Sequence, residues 1–135
     1  MLDEKQKGDL VAAAIKARKS SYSPYSSYAV GAALLTEKGE LYTGSNIENA
    51  AYPMSICAER VAAFKAISAE DRDFKAIAVV TRDGGFPCGA CRQVLSEFGL
   101  DAEVIIADDN GRILEESTVS DLLPGAFSPS NLKSS

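Results

Sequence analysis

Apolar residues recur along this chain at two periods, close to 3.6 in some segments and close to 2 in others, and the switching between them marks out the elements. In GDLVAAAIKARKSS, residues 8–21, Leu10, Val11, Ala14, Ile15 and Arg18 fall at helical spacing among alanines that favour helix, which predicts a first amphipathic helix. YAVGAALLTEKGELYTGSN, residues 28–46, reads as a hairpin: two short strands about a turn at Glu37, Lys38 and Gly39, with Gly39 supplying the positive φ. From Ser55 to Ser68 the apolar residues Ile56, Val61, Phe64 and Ile67 recur every three to five positions, just after Pro53, and predict the stripe of a second helix. FKAIAVVT, residues 74–81, is a strand. PCGACRQVLSEFG, residues 87–99, opens on Pro87, carries Val94, Leu95 and Phe98, and stops at Gly99, so it reads as a third helix with a glycine cap. EVIIAD (103–108) is a further strand, GRILEE (111–116) a weaker one, and TVSDLLPGAF (118–127) a short terminal helix broken by Pro124.

Strands alternating with helices predict an α/β layered domain, antiparallel through the hairpin and parallel through crossovers. No repeat, low-complexity block or linker interrupts the chain before its tail, SPSNLKSS. The expectation is one domain over residues 1–135, and 46% hydrophobic content suits a single core at that length.

Charge narrows the partners. A formal net charge of -5 with no lysine or arginine block argues against a protein that grips a phosphate backbone, so small neutral or polar molecules are expected instead of nucleic acid. No apolar run is long enough to span a bilayer, and the opening MLDEKQKGDL is acidic and polar where a signal peptide is basic and then apolar. A cytoplasmic protein without a membrane partner is the expectation. Three cysteines are an odd number, and in a reducing compartment their clustering points to metal or redox chemistry over a disulfide framework.

Cys88 and Cys91 sit three apart in the first turn of the third helix, on one side of it, and Cys57 opens the second helix. The positive end of a helix lowers a thiol pKa, and the thiolate is the form that binds metal. A CxxC pair alone fits a redox disulfide, a zinc site or simple packing, and Cys57 alone fits a small buried hydrophobe. The chain has no histidine, so a closed four-ligand zinc site would have to borrow a ligand from elsewhere, and Asp83 or Glu59 could supply it. Three sulfurs alone would leave the fourth position open to water, the mark of a catalytic zinc. Glu59, two residues past Cys57, then suits a proton shuttle facing that water without binding the metal.

CAER (57–60) followed by PCGACRQV (87–94) resembles the zinc nucleoside deaminases, and GSNIENAAYP (44–53) matches the nucleoside-binding segment of cytidine deaminases in particular. With SPYSSYAVGAALLT (23–36) and LLPGAF (122–127), the similarity spans nearly the whole chain. The resemblance implies a three-layer α/β/α fold with a mixed central sheet of about five strands. It implies hydrolytic deamination of cytidine and deoxycytidine to uridine and deoxyuridine, with release of ammonia, in pyrimidine salvage. Cys57, Cys88 and Cys91 become the zinc ligands, and Glu59 the acid/base that takes a proton from zinc-bound water, passes it to N3 and helps the amino group leave.

Asn46 and Glu48 match positions that hydrogen-bond the ribose 3'-hydroxyl, although a polar turn explains them equally on pattern alone. Ala58 matches the position whose backbone N–H meets the base carbonyl. Tyr28 stands where the family usually stacks a phenylalanine on the pyrimidine; Ser45 and Phe86 replace a cysteine and a serine common in relatives. Short members form homotetramers, and Tyr52 and Phe127 match residues that reach into a neighbour's site; without the resemblance Phe127 reads as a core anchor for the last helix. Zinc with three thiolates carries one net negative charge, and Arg60 matches an arginine that donates to those sulfurs, with Arg92 in reserve; a solvated helix arginine is the plainer reading of Arg60. Two alternatives stay open: a zinc deaminase for another aminopyrimidine nucleoside, such as a nucleoside antibiotic, and a non-enzymatic CxxC redox or structural-zinc module.

Overall fold

The first helix begins one turn before the segment predicted from Gly8. In the computed structural model, which describes residues 1–132, the Asp3 carboxylate accepts the Gln6 backbone N–H at 2.8 Å and the Gln6 side chain accepts the Asp3 N–H at 3.0 Å. This reciprocal cap satisfies two N–H groups that a helix start leaves free, and α1 runs Glu4–Arg18. Next come β1 (Gly31–Thr36) and β2 (Leu41–Ser45), the expected hairpin, turning at Gly39 with φ +86°. α2 (Ala58–Ser68), β3 (Phe74–Thr81), α3 (Gly89–Phe98), β4 (Glu103–Asp108) and β5 (Ile113–Thr118) follow. α4 (Val119–Leu122) ends before Pro124, where a ring without an N–H cannot continue it. Pro53 does not lead directly into α2 but belongs to a separate 3₁₀ turn, Tyr52–Met54.

One mixed sheet holds all five strands in the order β2-β1-β3-β4-β5; β3 and β4 are parallel and the other pairs antiparallel. Both faces are covered, so the period of 2 sorts apolar residues between two cores instead of between core and water. Ala33, Ala76, Ala78, Val80, Ile105 and Ala107 pack under α1 with Leu10, Val11 and Ala14. Ala32, Leu34, Ile77, Val79, Val104 and Ile106 face the other way, against the alanines of α2 and Leu95 of α3. The result is the three-layer α/β/α arrangement with five strands that the resemblance implies. Among the described residues no helix is long and apolar enough to cross a membrane.

α2 overturns the expected stripe. Its buried face is Ala58, Glu59, Ala62, Ala63 and Ala66, while Val61 and Ile67 are half-buried and Phe64 is 45% exposed. Size decides this, not hydropathy: the helix lies so close to β2 that a Cβ added to Gly44 would sit 2.4 Å from the Ala58 carbonyl oxygen and 2.7 Å from the Ala62 nitrogen. The Val61 Cβ would be 3.0 Å away as well, so a glycine on the strand is what allows that distance. Gly44→Ala is therefore expected to lower stability by about 1–3 kcal/mol, the usual cost of overpacking, read as a fall in the urea midpoint at unchanged m-value. An unchanged midpoint would mean that α2 is not seated by this contact.

Candidate active site

Two helices start at one place. Cys57 is the N-cap residue of α2 and Cys88 that of α3, and neither side chain caps its helix, so both sulfurs are free to point at each other. Cys91, one turn into α3, is fully buried between them, with Cys57 half-buried and Cys88 exposed. The Cys57 and Cys88 sulfurs are 3.8 Å apart, those of Cys88 and Cys91 3.6 Å, and all three lie within 4.8 Å of one another. Sulfurs bound about 2.3 Å from one tetrahedral zinc lie about 3.8 Å from each other, which the Cys57–Cys88 and Cys88–Cys91 separations match. A disulfide needs about 2.05 Å, and no pair among the three approaches it.

Charge around the cluster is arranged to favour thiolate. The Cys57 thiol is pulled down to about 5, chiefly by its hydrogen bond with the Cys91 thiol and then by Arg60, while Cys91 is pushed up as the donating, buried partner. A dication reverses that asymmetry, since it draws every coordinating thiol to thiolate. Arg60 Nη2 donates to Cys57 Sγ at 3.4 Å, and the Arg60 guanidinium pKa is raised, first by that bond. Its Nε is buried with no hydrogen-bond partner among the described residues. Arg92, expected in reserve, is committed elsewhere: it donates to the Pro87 carbonyl at 2.8 Å and the Leu122 carbonyl at 2.9 Å, tying α4 to the cysteine loop.

Glu59 is 4% exposed, and burial, with the negative charge of Cys57 behind it, pushes its carboxyl up to about 7. A carboxyl so placed exchanges protons near neutral pH. Neither proposed fourth ligand joins the sulfurs; among the described residues the cluster consists of the three cysteines, and the Asp83 carboxylate instead accepts from the Tyr28 hydroxyl at 2.7 Å.

The cluster opens into a cavity of about 450 Å³, a size suited to a small molecule, walled by Tyr28, Asn46, Glu48, Cys57, Glu59 and Cys88. Arg60 and Phe86 also reach it. The Asn46 carboxamide is largely spent on the neighbouring loop: its oxygen accepts from Ser21 Oγ and the Val30 N–H, and its nitrogen donates to the Tyr28 carbonyl at 2.8 Å. One N–H remains for the cavity. Glu48 accepts from the Tyr25 and Ser26 backbone N–H groups at 2.9 and 3.1 Å and from the Ser26 hydroxyl, and this last bond leads in holding its pKa below the carboxylate norm. Ala58 is buried at the first position of α2, where a backbone N–H has no acceptor within the helix.

Tyr52 and Phe127 stand outside the cavity, 70% and 55% exposed. Tyr52 meets Tyr25 edge-on, 5.7 Å between ring centres, and the Phe127 carbonyl accepts from Gln93 Nε2. Phe127 is thus no core anchor within this chain. Sequence reasoning missed Ser26 and Thr81, which also line the cavity; the Ser-rich turn around Pro24 was the available signal for the first.

Residues 4–107 match the family described as the cytidine and deoxycytidylate deaminase zinc-binding region. The chain belongs to this deaminase family. It is 52% identical over 125 residues to a cytidine deaminase of Sporosarcina psychrophila, spanning 91% of this chain and 92% of that protein. Over 126 residues it is 50% identical to a cytidine deaminase of Halalkalibacterium halodurans, spanning 91% and 95% of the two chains. The crystal structure of cytidine deaminase from Burkholderia pseudomallei superposes with a TM-score of 0.85 at 43% identity, covering 93% of this chain and 100% of that one. Zinc is the metal for which the family is described, and the sulfur geometry agrees with it. Purified protein is expected to carry one zinc per chain by elemental mass spectrometry, and to show three reactive thiols only after the metal is chelated. Metal-free protein with a Cys88–Cys91 disulfide would instead mark the CxxC pair as redox-active.

Proposed function

We propose that this chain deaminates cytidine and deoxycytidine by hydrolysis, giving uridine or deoxyuridine and ammonia, as a cytoplasmic enzyme of pyrimidine salvage. The observation that carries the reading is Glu59, buried beside a three-sulfur cluster in the wall of a nucleoside-sized cavity and poised at about 7. Cys57, Cys88 and Cys91 would hold zinc, which when bound acidifies water and so supplies a nucleophile near neutral pH.

The rest falls to the chain's own groups. The Glu59 carboxylate accepts a proton from the attacking water and gives it to pyrimidine N3, which makes C4 a better electrophile. It then takes the second proton from the oxygen newly bonded to C4 and passes it to the exocyclic amino group, so that the C4–N bond breaks, ammonia leaves and the carbonyl forms. Arg60 spreads the surplus negative charge of three thiolates, the Ala58 N–H meets the base carbonyl, and Tyr28 offers its ring to the base. The last N–H of Asn46 and the Glu48 carboxylate take the ribose hydroxyls. Because Glu48 already accepts three bonds from residues 25 and 26, it holds the sugar with a carboxylate fixed in place. We extend the reading to a homotetramer in which Tyr52 and Phe127, aromatic and exposed, complete the sites of neighbouring chains; the outward Phe64 supports it.

Glu59→Gln keeps the volume of the side chain and removes its proton chemistry. It is expected to retain zinc and lose kcat on cytidine by at least about a hundredfold, the lower range for removal of a general acid/base. Loss of zinc in step with activity would make Glu59 a ligand; full activity would remove it from the mechanism.

A further inference from the structure

Where a phenylalanine would offer only its faces, Tyr28 has a hydroxyl, and that hydroxyl is already bound within the protein. It donates to Asp83 Oδ1 at 2.7 Å. The same carboxylate oxygen accepts from the buried Thr81 hydroxyl at 3.2 Å, and Thr81 Oγ1 accepts the Gly84 and Gly85 N–H groups at 2.7 and 2.8 Å. The guanidinium of Arg82 lies over the Tyr28 ring, 5.0 Å from its centre, and Arg82 takes no part in the cavity wall that Tyr28 helps form. The space beside the phenol is also fitted: a Cβ on Gly85 would come within 2.7 Å of the Tyr28 oxygen. Tyr28 rides on the loop before β1, whereas Thr81 ends β3 and residues 82–85 begin the loop that leads to Cys88. A side chain free to rotate would have to be ordered each time a ligand bound, and this one is ordered in advance.

We propose that Asp83, with Thr81 and Arg82, clamps Tyr28 as a pre-set apolar wall for the substrate ring and joins its loop to the cysteine loop, making Asp83 a positioning residue for binding. The inference rests on the reading of Tyr28 as part of the nucleoside site. It places the hydroxyl outside recognition of the base: Tyr28 presents the same kind of face as phenylalanine and uses its oxygen to hold that face still. Binding of ground state and transition state should gain alike, so the clamp acts on KM and leaves kcat.

The test is a double-mutant cycle with cytidine on zinc-loaded protein. Asp83→Ala, which removes the acceptor, and Tyr28→Phe should each raise KM by about threefold to tenfold, the worth of one partly exposed hydrogen bond, with kcat held within about twofold. In the Tyr28→Phe background, Asp83→Ala should add nothing further, because the bond is already gone. A second reading needs no turnover: burial and then Asp83 hold the Tyr28 phenol above its ordinary pKa, so Asp83→Ala should lower the Tyr28 titration followed at 295 nm, with Tyr28→Phe identifying that tyrosine. An unchanged KM in Asp83→Ala, or an equal rise in the Tyr28→Phe background, would overturn the clamp. Wild-type protein that does not convert cytidine would overturn the substrate assignment instead, and the phenol titration would then still decide whether the clamp exists.

Discussion

The seating of α2 on the sheet is the constraint from which the site follows. Gly44 and the face formed by Ala58, Ala62, Ala63 and Ala66 let the helix backbone come within a side chain's width of β2. That depth fixes where the helix begins, and its beginning carries Cys57, Ala58, Glu59 and Arg60. α3 brings Cys88 and Cys91 to the same point from the end of β3. A side chain at Gly44 would press on the α2 backbone at Ala58 and Ala62, next to Cys57. Packing that looks structural thus sets the metal geometry, since sulfurs a few tenths of an ångström out of place no longer share one tetrahedral centre.

Electrostatics follow from the same depth. Burial that costs nothing for alanine is costly for a carboxylate, and Glu59, on the alanine face, has its pKa carried to about 7 as a result. Arg60, one position on, turns to the sulfurs instead of to solvent, as its 3.4 Å contact with Cys57 shows. Consecutive residues on one helix therefore serve opposite needs: Glu59 becomes an exchangeable acid because its burial outweighs the pull of Arg60, and Arg60 stabilises thiolate by its bond to Cys57. With a dication bound, the Arg60 cation would bring the formal charge of the three thiolates to zero.

Much of this was legible in the chain. Period-2 and period-3.6 patterns located every major element, and cysteine spacing with the absence of histidine singled out the three sulfurs and an open position. The α1 start was legible too, in an Asp3 and Gln6 three apart, although the apolar stripe begins only at Leu10. The orientation of α2 was not, because hydropathy favours Val61 and Phe64 over alanine and says nothing of how near two backbones must come. Long polar side chains were the other blind spot. Nothing local tells that Arg92 reaches α4 and not the sulfurs, or that Asp83 meets a tyrosine 55 residues away. Such partners are set by tertiary contact, which spacing along one segment does not encode.

The claim at the centre is that three sulfurs and one buried carboxyl make a hydrolytic deaminase. It is met most directly by incubating purified protein with cytidine and following product by chromatography together with released ammonia, before chelation, after chelation, and after zinc is restored. The account predicts uridine and ammonia in equal amounts, loss of turnover with the metal, and recovery on adding one equivalent of zinc per chain. Undiminished conversion by metal-free protein, or no conversion of cytidine by fully zinc-loaded protein, would contradict it.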